Sequence, residues 1–337
     1  MQDAPEPVVG AKSPRRVLIG RLLAYAIGAA LLAAAIVAVS SRTQSFSHSF
    51  AAARASSPWL VLAAVALPLA NIAMVSASFW VLTVRHGRVT LAEMHALILS
   101  SWLLNHLPLR PGLLGRLAYH RLANGIPVRK SVRIIVEQLL CGIVALVVML
   151  AAAMATAPLG SSWVFGTLSA IGAACLVGAL LLWRNSPDAG RGRAVSLYGA
   201  AVGFRIFDMT IWIARYLCVF AMVGQPIGVR DAAGIAAAAQ GAMLSPIPLG
   251  LREWTVGLVH AMLGPGGAGT VTGQPGATVD ALAPGIAADL VNRATELLVA
   301  LPLGIVASLW LTRRLRAARQ PTGAGPVGPY PPSARSI

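Results

Sequence analysis

Six apolar runs, each close to the length of a bilayer-crossing helix, limit what this chain can fold into: Leu22–Val39, Trp59–Val84, Ile134–Ala157, Ser162–Trp183, Leu197–Val223 and Ala281–Leu311. A helix needs roughly 20 apolar residues to cross the hydrocarbon. The runs are rich in Ala, Leu, Gly and Val and lack period-2 alternation, so they read as helices and not as barrel strands. The composition agrees. Hydrophobic residues make up 57% of the 337 and charged residues only 11%, where a soluble chain carries about 25% charge. The mean hydropathy is +0.72. The first run follows Lys12, Arg15, Arg16 and Arg21 in the manner of a signal peptide. It is longer than the usual apolar region of about 7–15 residues, so an uncleaved first helix is expected.

A formal charge of +16 invites a nucleic-acid reading. The positions of the charges exclude it, because they cluster beside helix ends as the positive-inside rule expects. The same rule sets the topology. Lys12, Arg15 and Arg16 put the N-terminal segment 1–16 in the cytoplasm, and Arg313, Arg314 and Arg316 put the basic, Pro/Gly-rich tail 313–337 there too. The membrane domain is expected to span 17–312. Its predicted location is the cell membrane, multi-pass.

Thr90–Leu107 and Gly112–Asn124 are the exceptions to a simple up-and-down path. The first is long enough to cross, yet Arg85 and Arg88 precede it and Arg110, Arg116, Arg121, Arg129 and Lys130 follow. Both flanks are therefore expected on the cytoplasmic side, and the second piece is only about 20 Å long as a helix. A re-entrant hairpin accommodates both, with its turn at Pro108 and Pro111-Gly112 and a Thr90-x-x-Glu93 capping box at its start. Asp231–Ser245 and Leu251–Gly264 repeat the pattern from the opposite side, around Pro246, Pro248 and Gly250. In each case a charged residue stands five positions after a proline: Arg116 after Pro111, and Glu253 after Pro248. The predicted fold is thus an all-α polytopic membrane protein with about six spanning helices and two re-entrant hairpins. The hairpins belong to an inverted-topology repeat, with one copy near 59–157 and the other near 197–311. In transporters such repeats place a site where broken helices meet at mid-bilayer.

Ionisable groups within the membrane cost roughly 3 kcal/mol each on insertion scales, so they pair, face water or work. Arg205 and Asp208 share a helix face and read as an ion pair. Asp289, Arg293 and Glu296 form one polar stripe, open to a self-neutralising triad or a ligand path. Arg252 and Glu253 point about 100° apart on a helix and cannot simply neutralise each other. Arg116, Arg252 and Arg293 are the candidate anion binders, because a guanidinium forks a phosphate with two hydrogen bonds. The alternative for Arg116 and Arg252 is anchoring to Glu137 or Glu296. Glu137, Glu253, Glu296, Asp208 and Asp289 are the candidate charge-balancing or ion-coupling groups. Pro111, Gly112, Gly115, Pro248 and Gly250 are the hairpin tips. His95 and His106 lie about 16 Å apart along a helix, too far for one metal. No nucleotide-binding, zinc or paired-acid motif is present. No catalytic residue, metal or cofactor is expected. Cys141, Cys175 and Cys218 read as small core residues, and Gly199-xxx-Gly203 as a helix-packing motif.

The sequence from about Trp80 to Trp310 resembles the flippase-like transmembrane region of lysylphosphatidylglycerol synthases. "PIPLGLREW" at 246–254 and Asn292-Arg293 with Glu296 carry the resemblance. The first half departs from the family pattern. Gly115-Arg116 stands where Gly-Glu is usual, Tyr119 replaces an Arg, Glu137-Gln138 replaces an acidic-Arg pair, and Cys141 occupies a common acid position. With the chain ending at Ile337, the expectation is a free-standing member without the synthase domain. The resemblance implies translocation of an anionic phospholipid or polyprenyl-phosphate lipid, with membrane lipids and lipid- or glycan-synthesising enzymes as partners. The competing readings are a small-molecule secondary transporter, a membrane-embedded lipid transferase and an assembly partner in envelope lipid synthesis.

Overall fold

A computed structural model describes residues 33, 51–52, 55–105, 111–186, 191–245, 250–263 and 275–319, without the side chains of 275–280 and 318–319. Over these residues the long helices are α1 (Pro58–Thr83), α2 (Leu91–Asn105), α3 (Pro111–Ala123), α4 (Val128–Thr156), α5 (Ser161–Asn185), α6 (Arg191–Met222), α7 (Val229–Ala242), α8 (Leu251–Leu263) and α9 (Pro275–Arg319). The described residues contain no strand. Five helices, α1, α4, α5, α6 and α9, are long and apolar enough to cross a membrane. The expected first span, Leu22–Val39, lies outside the described residues apart from position 33.

The helices overrun the apolar runs that seed them. α4 begins at Val128 instead of Ile134, α6 at Arg191 instead of Leu197, and α9 extends to Arg319. Helix propagation is cooperative once nucleated, so the ends continue through the basic residues that flank the hydrocarbon. The large side chains on the outer faces are apolar and exposed, among them Leu140, Val147, Leu180, Leu298 and Val306. That is the surface an α-helical bundle presents to lipid.

α6 is the hub, packed against α1, α4, α5, α7 and α9. Small residues let it approach closely. A Cβ on Gly203 would sit 3.0 Å from the Gly172 carbonyl oxygen of α5, so the Gly199-xxx-Gly203 motif does mediate helix packing. α2 and α3 form one pair of short helices, and α7 and α8 form another, the two members of each pair packing together. At the first pair, Ser101 Oγ donates to the Gly112 carbonyl at 3.0 Å, and a Cβ on Gly112 would lie 2.2 Å from Ser101 O. Pro111 is the first residue of α3, where its missing N–H leaves no bond unmade. The turns themselves, 106–110 and 246–249, lie outside the described residues, and Pro248 with them.

α9 ties the two pairs together. Its first half crosses α8, where a Cβ on Gly285 would meet the Gly257 Cα at 2.8 Å. Its second half crosses α2 at Gly304 against Leu103, and Ser308 hydrogen-bonds Ser100 at 2.8 Å. Of the expected Thr90/Glu93 capping box, the Glu93 N–H bonds Thr90 Oγ1 at 3.2 Å. The Glu93 carboxylate lies instead 3.5 Å from Arg314 of α9.

Candidate functional site

The interior holds a network of ionic and amide groups contributed by four helices, α1, α6, α8 and α9. Arg205 and Asp208, one turn apart on α6, form the expected ion pair. Asp208 also accepts from Asn71 Nδ2 of α1 at 2.7 Å. Asn71 Oδ1 in turn accepts from Arg215 Nη1 at 3.0 Å. Arg215 reaches α9 through Asn292 Oδ1 at 2.6 Å and through an ion pair with Glu296. Arg252 of α8 meets the same Glu296 at 3.0 Å and Asp289 at 2.8 Å. Tyr216 Oη donates to Asp289 at 2.9 Å. Arg293 pairs with Glu253.

The charges in this chain cancel. Four arginines (205, 215, 252, 293) face four carboxylates (Asp208, Glu253, Asp289, Glu296) through the pairs named above. Trp212 supplies a further stabilising surface, with the Arg215 guanidinium 4.1 Å from its ring centroid. The Asp289/Arg293/Glu296 stripe is therefore cross-linked to other helices: each of its members forms an ion pair with α8, and Glu296 with α6 as well.

Arg252 is 1% exposed and takes part in the anchoring arrangement with Glu296 that the sequence left open. Glu253 sits in the first turn of α8, yet its ion pair is with Arg293. Glu137 does not meet Arg116. Its partners are Arg85 of the α1–α2 link, Arg133 at 2.9 Å and Tyr198 Oη at 2.7 Å. His86, beside this cluster, is held below the ordinary imidazole range by burial first and by Arg85 second.

Arg116 differs from all of these. It is buried, it has no carboxylate partner among the described residues, and its guanidinium lies 4.0 Å from the Phe79 ring centroid. It borders two adjoining cavities. One, of about 210 Å³, lies among α1, α2, α6 and α7 and is lined by Arg116, Arg205, Asp208 and Arg215. The other, of about 370 Å³, opens beside α4 and is lined by Arg116, Arg205, Gln138, Asn105 and Gln240 together with apolar residues. Ligand sites commonly enclose about 300–1,000 Å³, so the two together are of that size.

Of the tip glycines, Gly250 adopts φ +80°, a left-handed conformation that favours glycine at the entry to α8. Gly112 is needed for the α2–α3 contact, and Gly115 faces open space. Sequence reasoning did not single out Arg215, Asn71 or Tyr216, and it named Asn292 only as part of the resemblance. Arg215 was detectable: it lies seven residues after Asp208, two helical turns on, and therefore on the same face. Among the described residues no group of His, Cys, Asp and Glu is arranged to hold a metal. Comparisons with protein families, with curated proteins and with solved structures return no match.

Proposed function

We propose that this protein is a lipid translocase of the cell membrane, passing an anionic lipid head group between leaflets through a polar path inside the bundle. The observation that carries this reading is the cavity of about 210 Å³ whose wall holds three arginines, 116, 205 and 215, beside the single carboxylate of Asp208. A structural membrane bundle has no need of such a space, because buried charge at this depth is costly. α2 and α7, the entering limbs of the two short-helix pairs, both contribute to its wall, through Ser101 and Asn105 and through Gln240, with Met243 just past the end of α7.

In this reading the α2–α3 and α7–α8 pairs are re-entrant hairpins dipping from opposite faces, and they belong to an inverted repeat. The N- and C-terminal segments are cytoplasmic. The resemblance of 246–254 and 292–296 to the flippase-like region of lysylphosphatidylglycerol synthases supports the same class. A phosphate crossing here exchanges its hydration for guanidinium and amide donors while its chains remain in hydrocarbon. The neutral network of Arg215, Arg252, Asp289 and Glu296 holds the scaffold rigid behind the path. Lipid- or glycan-synthesising enzymes are the expected suppliers or consumers of the lipid.

Reconstitution into liposomes with head-group-labelled anionic lipid tests the reading. Reductant added outside should quench about half the label in empty vesicles and nearly all of it in vesicles holding the protein. Quenching equal to that of empty vesicles, across several anionic lipids, refutes translocation. Saturable uptake of a water-soluble solute in the same vesicles favours a secondary transporter instead. Impermeant labelling of cysteines placed at Leu107 and Gly125, on a background lacking Cys141, Cys175 and Cys218, tests the hairpin. Both should react from the same side.

A further inference from the structure

The larger cavity, of about 370 Å³, differs from its neighbour in two respects. Among the described residues its wall carries Arg116 and Arg205 and no carboxylate. Its outer rim is apolar and open to the surface that faces hydrocarbon: Leu139 is 42% exposed, Ile143 43% and Leu244 59%. Arg116, unpaired among the described residues, with Arg205 shared with Asp208 beside it, beneath an apolar mouth matches an amphiphile with an anionic head.

We propose that this cavity is a lateral entry seat for a lipid phosphate, the phosphate resting on Arg116 and Arg205 and one hydrocarbon chain lying along α4. The seat relies on the translocase reading for the lipid's onward passage but not for its binding.

Three hydrogen-bond donors support the head-group end. Arg116 has no acceptor among the described residues. Arg205 is fixed by Asp208 through one terminal nitrogen, while its buried Nε has no partner. Gln138 is 6% exposed; its Oε1 accepts from Ser78 at 2.8 Å, which turns its Nε2 into a second buried donor without an acceptor. Buried donors without acceptors are rare because each carries a desolvation cost. An anion in the cavity satisfies all three. Gly142 admits the Arg205 guanidinium to this wall, since a Cβ there would stand 3.1 Å from Arg205 Nη2.

The tail end follows from helix geometry. Ile135, Leu139, Ile143 and Leu146 recur at spacings of four, four and three, so they form one stripe on α4. The stripe is about 16 Å long at 1.5 Å per residue, enough for most of an acyl chain. The described wall lacks a carboxylate, so a choline or ethanolamine head finds no counter-charge there. The seat therefore selects lipids whose head group is net negative. A second apolar hollow, between α1, α5 and α6 near Trp183, has no charged lining and no means of recognising a head group.

The test uses the full chain in phosphatidylcholine nanodiscs with a phosphatidic acid carrying a diazirine on its chain. Photolabelling should fall on α4 near Leu139 and Ile143 and on α7 near Leu244. Unlabelled phosphatidic acid should compete; excess phosphatidylcholine and inorganic phosphate should not. Arg116→Gln should lower labelling roughly tenfold to a hundredfold, the range expected on losing a charge-assisted hydrogen bond. Ile143→Trp, an exposed change that leaves the arginines intact, should block the mouth. Equal labelling by a phosphatidylcholine probe, or unchanged labelling in both variants, overturns the seat. Competition by inorganic phosphate alone assigns the site to a soluble anion and also overturns it. If labelling follows the expected pattern but liposomes show no lipid exchange, the translocase reading falls and the seat stands. If labelling is unchanged in both variants while liposomes show lipid exchange, the seat falls and translocation stands.

Discussion

α3 and α8 are matched in outline and opposed in electrostatics. Each is 13 residues long, and each carries one buried arginine, at its sixth position in α3 and its second in α8. Arg252 of α8 is surrounded by Asp289 and Glu296, and its charge is cancelled. Arg116 of α3 faces an aromatic ring and two cavities. The same residue type is a structural clasp in one helix and an open valence in the other. What differs is whether α9 brings carboxylates alongside. It does so at α8 through residues 289 and 296, while its crossing of α2 presents Gly304 and Ser308.

The largest test of this contrast is Arg252→Gln. Removing one member of a buried, hydrogen-bonded ionic cluster leaves Asp289 and Glu296 short of positive charge, and the expected loss is about 3–5 kcal/mol. Thermal melting in detergent should show it as a large fall or as failure to isolate the protein. Arg252→Lys should recover little, because a single ammonium cannot reproduce the fork between two carboxylates.

Next in size come the helix crossings, which sharpen the comparison by being alike where the charges are not. Gly112→Ala at α2–α3 and Gly285→Ala at α8–α9 each put a Cβ within 3 Å of backbone. Both should cost about 1–3 kcal/mol by overpacking, read from melting temperature. If Gly112→Ala proves silent, the α2–α3 pair is not the tight unit described.

Gly250→Ala should cost about 1–2 kcal/mol, the penalty for placing an L side chain at positive φ. Gly115→Ala, whose Cβ meets nothing within 4 Å, should instead stabilise α3 by about 0.8–1.0 kcal/mol through helix propensity. The smallest stability effect belongs to Arg116→Gln. Its charge has no carboxylate to abandon among the described residues, so the melting temperature should hold or rise while lipid handling declines. A fall as large as that of Arg252→Gln would erase the distinction between the two helices.

Much of the architecture was readable in advance. The short limbs were expected at Thr90–Leu107, Gly112–Asn124, Asp231–Ser245 and Leu251–Gly264, and they occur at Leu91–Asn105, Pro111–Ala123, Val229–Ala242 and Leu251–Leu263. Length, apolarity and Pro/Gly punctuation act locally, so one sequence carries them. The separation of Arg252 from Glu253 was also legible, because adjacent helical residues diverge. Partner choice was not. Nothing local says that Arg252 bridges residues 37 and 44 positions away, or that Glu137 gathers Arg85 and Tyr198 instead of Arg116. Asn71 looked like one amide in an apolar run, yet it is the link between Asp208 and Arg215.

By itself, then, the sequence determined that this is a helical chain suited to a membrane, where its helices lie, and which polar residues the membrane would force into partnership or use. Those outcomes depend on composition within a few turns of the chain. Tertiary structure alone decided which arginines are neutralised and which remains open, because that depends on how α6 and α9 cross their neighbours. In a low-dielectric interior, a shift of a few ångströms in which helix faces which leaves the same guanidinium either clasped by carboxylates or without one.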